Sequence, residues 1–162
     1  MNKNKIERAY NLVISRLPKD YPNPKIKICN SADEVIRLVY KWNKDYYKTV
    51  KQTKEWYTKR FQNTKSKTNY INTKYYLQES LSESTWKDIS MVATEPILIN
   101  KEVCIKKKYE QMVFIFLHEI GHFYNQRSKN YLNERMADQF AIRWIRKFIK
   151  EGLISDYTKL NK

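Results

Sequence analysis

His118-Glu119-Ile120-Gly121-His122 contains the only two histidines of a 162-residue chain, and their spacing is one that metal chemistry uses. Four apart on a helix, two side chains stand one turn above each other, so both imidazoles can reach one ion from the same face. Glu119 is turned about 100° from His118 around the helix axis. Its carboxylate then lies beside the ion, where it can take a proton from a water activated there. Two core histidines bonded to backbone would be the plainer explanation, but it leaves a carboxylate between them in an apolar helix.

The flanking sequence predicts that helix. Residues 109–123 contain no proline. Met112, Val113, Phe116, Ile120 and Phe123 mark one apolar stripe at helical spacing, and Phe114, Ile115 and Leu117 widen it. A helix so apolar should be buried on most sides. Gly121 costs about 1 kcal/mol relative to Ala in a helix interior. A small residue at that point lets another segment approach the turn that carries the histidines.

Zinc in a catalytic site usually takes three protein ligands and leaves a fourth position to water. A third histidine does not exist, and Cys104 lies about 21 Å from His118 along a continuous helix. Carboxylates remain: Glu134, Asp138, Glu151 and Asp156. Glu134 is the best placed. After a polar loop at 125–130, Asn133-Glu134-Arg135-Met136-Ala137-Asp138-Gln139-Phe140-Ala141 opens a further helix, with Glu134, Ala137, Asp138 and Ala141 on one face. The alanines would let this helix press on the first while the carboxylates point into the gap. Glu134 is then the third ligand, and Asp138 accepts the N–H of a ligating histidine, fixing its tautomer and orientation. A solvated helix start is the competing account of the same residues, since acidic side chains suit a first turn. Two histidines and a carboxylate favour zinc, and would also accept iron, cobalt or manganese.

H-E-I-G-H followed twelve residues later by E-x-x-A-D-x-F-A resembles the ImmA/IrrE family of gluzincin metallopeptidases, over residues 97–145. The N-E-x-x-A-D run is also similar to the second zinc motif of thermolysin-like gluzincins. The resemblance implies His118, His122 and Glu134 as zinc ligands, Glu119 as general base and Asp138 as the supporting residue. It implies a zincin-like α+β fold, mostly helical, with a small sheet whose edge strand precedes the metal-binding helix and pairs with extended substrate. Its substrates would be proteins or peptides, in that family repressors of mobile elements and stress responses.

At this length the chain is read as a single domain over residues 1–162, with the motifs in 95–150 and a helical, basic part in 1–94. With 41% apolar and 14% aromatic residues it should fold rather than stay disordered. Cys29 and Cys104 are too few for a disulfide scaffold and read as reduced thiols in a cytoplasmic protein. Neither a signal peptide nor a membrane span is expected. The net charge of +15 points toward acidic partners. Between Lys41 and Lys74 ten basic residues face two acidic ones, interleaved with Trp42, Tyr46, Tyr47, Trp56, Tyr57, Phe61 and Tyr70. Lys44, Lys48, Lys51, Lys54, Lys59 and Arg60 are therefore candidates for nucleic-acid contact. A helix with a solvated lysine face and an aromatic core face explains the same run. Lysine outnumbers arginine 24 to 8, a bias an AT-rich coding sequence also produces.

The elements around the motifs follow from punctuation and period. Residues 3–17 predict a helix with Ile6, Tyr10, Val13 and Leu17 inward, ended by Pro18 and the Tyr21-Pro22-Asn23-Pro24 turn. Residues 25–29 alternate as a strand. Ser31-Ala32-Asp33-Glu34 is a capping box opening a long helix to about residue 61, with Val35, Leu38 and Trp42 inward. Residues 95–100 predict a strand, its proline suiting an edge. The last helix, over 133–150, should bury Phe140, Trp144, Ile145 and Phe148 and stop at Gly152.

Together these residues predict metal-assisted peptide hydrolysis. A donor to the tetrahedral oxyanion is also needed, with Tyr124 and Tyr131 nearest in sequence. The alternative is a non-catalytic, zinc-stabilised regulator or nucleic-acid-binding protein that uses its basic, aromatic surface.

Overall fold

Alternation along one strand decides how the layers stack. A computed structural model describes residues 2–42, 89–125 and 134–156, and within them not the side chains of residues 2–4, Tyr40, Trp42 and Glu134. The described elements are α1 (Asn2–Arg16), β1 (Ile26–Cys29), α2 (Ala32–Trp42), β2 (Met91–Val92), β3 (Ile97–Asn100), α3 (Lys101–Cys104), α4 (Tyr109–Tyr124) and α5 (Glu134–Lys150). All four residues of β3 are buried. Ile97 and Ile99 enter a core shared with α1, α4 and α5, whereas Leu98 joins Cys29, Val35, Ile36, Val39 and Ile89 under α2. Successive strand residues point to opposite faces, so a strand apolar at every position must be covered on both. The result is α2 on one face of a small sheet and the other helices on the opposite face, a mixed α+β arrangement.

The sheet order is β1-β3-β2. β1 runs parallel to β3, pairing Ile26 with Ile97 and Cys29 with Asn100. β2 runs antiparallel to β3, pairing Met91 with Ile99. This corrects the expected edge position of the strand before the histidine helix: β3 is the central strand of the described sheet. Pro96 does not prevent this, because it precedes Ile97, the first ladder residue, so its missing N–H is outside the ladder. With both edges of β3 taken, an extended peptide cannot pair with it.

The local signals behave as chemistry requires. Ser31 Oγ accepts from the Glu34 N–H at 3.3 Å, and Glu34 reaches back to the Asn30 N–H at 2.7 Å. The expected extension of α2 beyond Trp42 falls outside the described residues. Ile6 and Val13 of α1 and Leu17 just beyond it are buried, and Tyr10, half-buried, donates its hydroxyl to Pro24 O at 2.7 Å, fixing the turn after the helix. At the far end, Gly152 takes φ +72°, with Leu153 N–H bonded to Phe148 O and Gly152 N–H to Ile149 O. These two bonds form a Schellman cap and stop α5 where the glycine predicts. Lys5 Nζ donates to Ile105 O and Lys107 O at 3.1 and 2.8 Å, tying α1 to the turn that leads into α4. Among the described residues no helix is long and apolar enough to cross a membrane.

Candidate metal centre

α4 is the helix that the apolar run predicts, and it is buried along nearly its whole length. Every residue from Gln111 to His122 is buried, with His118, Glu119 and His122 retaining 7–9% of their exposure. Its start is held by Lys108 N–H donating to Gln111 Oε1 at 2.8 Å. Buried ionisable groups on an apolar helix must find partners, because an unpaired one is costly in a low-dielectric interior.

α5 supplies one. A Cβ placed on Gly121 would lie 3.1 Å from Ala137 O, 3.1 Å from Phe140 Cβ and 3.2 Å from Ala137 Cα. The two helices meet at that glycine, and the buried Ala137 and Ala141 give α5 its flat approach. The tight crossing brings Asp138, 1% exposed, to His118: Asp138 Oδ1 lies 2.7 Å from His118 Nδ1. A carboxylate can only accept, so in the neutral ring Nδ1 carries the proton and Nε2 the lone pair. That lone pair is directed at His122, with the two Nε2 atoms 3.2 Å apart and the rings at 85°.

This spacing fits a shared ion. Two nitrogens about 2.0–2.1 Å from a tetrahedral zinc are separated by roughly 3.3 Å. The histidine–carboxylate pair is the support that metal-ligating imidazoles commonly have. Asp138 Oδ2 is buried without a hydrogen-bond partner among the described residues, so the carboxylate commits one oxygen to the ring. Among the described residues no three His, Cys, Asp or Glu side chains gather as a metal-binding group. The two histidines present two converging ring nitrogens. Glu134 is the first residue of α5 and stands four before Asp138, one turn away on the same helix face, with its side chain outside the description.

The remaining expected residues divide clearly. Glu119 is buried on α4 between the two histidines. Tyr124 does not join them: it is turned about 200° from His122 around α4. Its ring packs in tilted contact with Tyr21 at 4.9 Å and Phe140 at 5.0 Å. Tyr131 lies outside the described residues, as do Lys44, Lys48, Lys51, Lys54, Lys59 and Arg60. Cys104 is spent elsewhere, its thiol 3.4 Å from Ser90 O, and both buried cysteines are outside any disulfide. Two residues that support the site were not expected from the sequence. Phe140 backs Gly121 at the crossing, and Lys5 holds the entry to α4 from 100 residues away. Phe140 belongs to a recognisable stripe, but nothing local marks Lys5 among its neighbouring polar residues.

Compared with known proteins, the chain matches no family model, no curated sequence and no solved structure.

Proposed function

We propose that this protein is a zinc-dependent metallopeptidase of the gluzincin kind, hydrolysing a peptide bond in a protein substrate. The observation that carries the reading is the convergence of His118 Nε2 and His122 Nε2 at 3.2 Å, with His118 Nδ1 tied to the buried Asp138. In this reading His118 and His122 hold the metal and Glu134 completes the ligand set, as the ImmA/IrrE-like motif pair implies. Bound zinc would supply Lewis acidity to the scissile carbonyl and to the attacking water.

The protein groups do the rest. Asp138 holds the His118 proton on Nδ1 and so keeps Nε2 free to ligate. Glu119, one residue along from His118 and buried, takes a proton from the attacking water and returns it to the leaving amine. Peptide pairing, on the corrected topology, falls to an outer strand rather than to β3. β2 lies against α4 as well as against β3, and is the nearer candidate.

The full chain, loaded with zinc and incubated with an unfolded protein such as casein, is expected to produce new N-termini. Glu119→Gln keeps the fold and the metal and lowers the cleavage rate by about 100-fold or more, the usual worth of a general base. Equal rates for wild type and Glu119→Gln would refute the assignment.

A further inference from the structure

The outer face of α5 carries a second feature that the metal centre does not use. Arg135, Gln139, Arg143, Arg146, Lys147 and Lys150 are all exposed. At about 100° per residue they fall within an arc of roughly 120°, opposite the face that packs on α4. Five of the six are cationic, and no exposed carboxylate of the described helix interrupts them. Glu151, beyond the helix end, lies 4.0 Å from Lys147.

Three considerations set this face apart from ordinary solvated lysines. Arginine is scarce in this lysine-rich chain, at 8 against 24, yet three of the eight stand here. Arginine offers a fixed fork of donors that matches phosphate oxygens, which lysine cannot imitate. Next, Arg143 lies over the Phe140 ring at 5.7 Å and Lys147 over Trp144 at 4.9 Å. Aromatic faces thereby hold two of the cations against the helix and limit the freedom they lose on binding. Finally, Arg143–Lys147 and Arg146–Lys150 are like-charge pairs one turn apart, an arrangement that destabilises a helix in isolation. The helix dipole favours Lys147 and Lys150 in the last turn, but not Arg135 or Arg143.

We propose that the outer face of α5 docks on the phosphate backbone of duplex DNA, through Arg135, Arg143, Arg146, Lys147 and Lys150. From Arg135 to Lys150 the row is about 22 Å long, the length of six or seven base pairs. An acidic protein partner is the weaker match, because stable protein interfaces centre on apolar or aromatic anchors and the middle of this arc is Gln139 and Lys150. The proposal is independent of the zinc reading and would stand if the metal were absent. Were both correct, the helix bearing Glu134 and Asp138 would also hold the site beside DNA-bound proteins.

The test is fluorescence anisotropy of a labelled 20-base-pair duplex with the full chain, titrated across a salt series. The triple variant Arg135→Gln, Arg146→Gln, Lys150→Gln removes three charges other than the two held over Phe140 and Trp144. Lys19→Gln, Lys25→Gln, Lys27→Gln removes three exposed charges elsewhere and controls for net charge. The α5 triple is expected to weaken binding at least tenfold and to lower the slope of log affinity against log salt by about 2.7, at roughly 0.9 per lost contact. The control should change affinity less than about threefold. Arg143→Gln with Lys147→Gln provides an independent pair with the same expected direction, should the triple fail to fold. Equal losses in the α5 and control variants, or no loss in either, would overturn the proposal. Displacement of the duplex by polyglutamate as effective as by unlabelled DNA would reassign the face to an acidic protein.

Discussion

His118 and Asp138 are the pair through which the candidate centre depends on a second helix. Replacing Asp138 by Asn keeps the size of the side chain and an acceptor oxygen, but removes the negative charge beside the His118 ring. Support of this kind typically changes metal affinity 10–100-fold. Asp138→Asn is therefore expected to weaken zinc binding by about that factor in competition with a chromophoric chelator, with little change in the far-ultraviolet circular dichroism. An unchanged zinc affinity would show that the 2.7 Å contact serves packing alone. At this scale the sequence was most legible. Two histidines at helical spacing leave few alternatives, and an Asp one turn after a Glu beside two alanines specifies which face must meet them. Tyr124 was less legible, because proximity in sequence says little about direction: two residues past His122 on a helix is nearly the opposite side.

The α4–α5 crossing controls whether those residues meet. Its closest point is Gly121, whose imagined Cβ meets the backbone oxygen and Cα of Ala137 and the Cβ of Phe140, none of which can swing aside. Gly121→Val would force the helices apart and is expected to cost about 1–3 kcal/mol by overpacking. In a chain of this size that corresponds to a fall in melting temperature of roughly 2–4 °C per kcal/mol. The displaced Asp138 should also loosen its hold on His118, so zinc affinity falls together with stability. A variant as stable as wild type would contradict the close approach. The helices were readable as elements because caps, stripes and Gly152 are local signals. The place of β3 was not. Proline suggested an edge, whereas a strand apolar at Ile97, Leu98 and Ile99 in succession is better placed between two partners and two helical layers. Strand order depends on which segments find each other across the chain, and no single segment encodes that. Lys5 illustrates the same limit, since its partners are carbonyls that every residue possesses.

For the molecule as a whole, the half-buried phenols of Tyr10 and Tyr109 and the buried thiol of Cys29 weaken the fold at alkaline pH. Loss of solvent around Tyr10, Tyr109 and Cys29 raises all three above their ordinary values, with Arg8 pulling Tyr109 part of the way back. Each group is neutral when protonated, so raised values mean that the fold favours the protonated form. Their contribution is complete below the unfolded values, about 8.5 for Cys and 10 for Tyr, and is lost as pH rises through the folded ones. The urea midpoint should therefore decline between about pH 8 and about pH 11, and Tyr10→Phe should lessen the decline. A midpoint that stays flat over that range would refute this origin. The net charge of +15 adds self-repulsion, which diminishes toward high pH and so acts in the opposite direction. The two are separable, because salt screens repulsion between surface charges far more than it does the burial of a phenol. Charge also illustrates what whole-molecule properties conceal. Composition alone drew attention to the lysines of residues 41–74, whereas the carboxylate-free arc on α5 emerges only when exposure is known residue by residue.

We propose that His118, His122 and Glu134 together hold one zinc ion. The most direct test is the zinc content, by mass spectrometry, of protein purified without added metal, comparing wild type with Glu134→Ala and Glu119→Gln. One zinc per chain is expected in wild type and in Glu119→Gln, and a large loss in Glu134→Ala. Wild-type protein that holds no zinc, even after zinc is offered and excess removed, would contradict it.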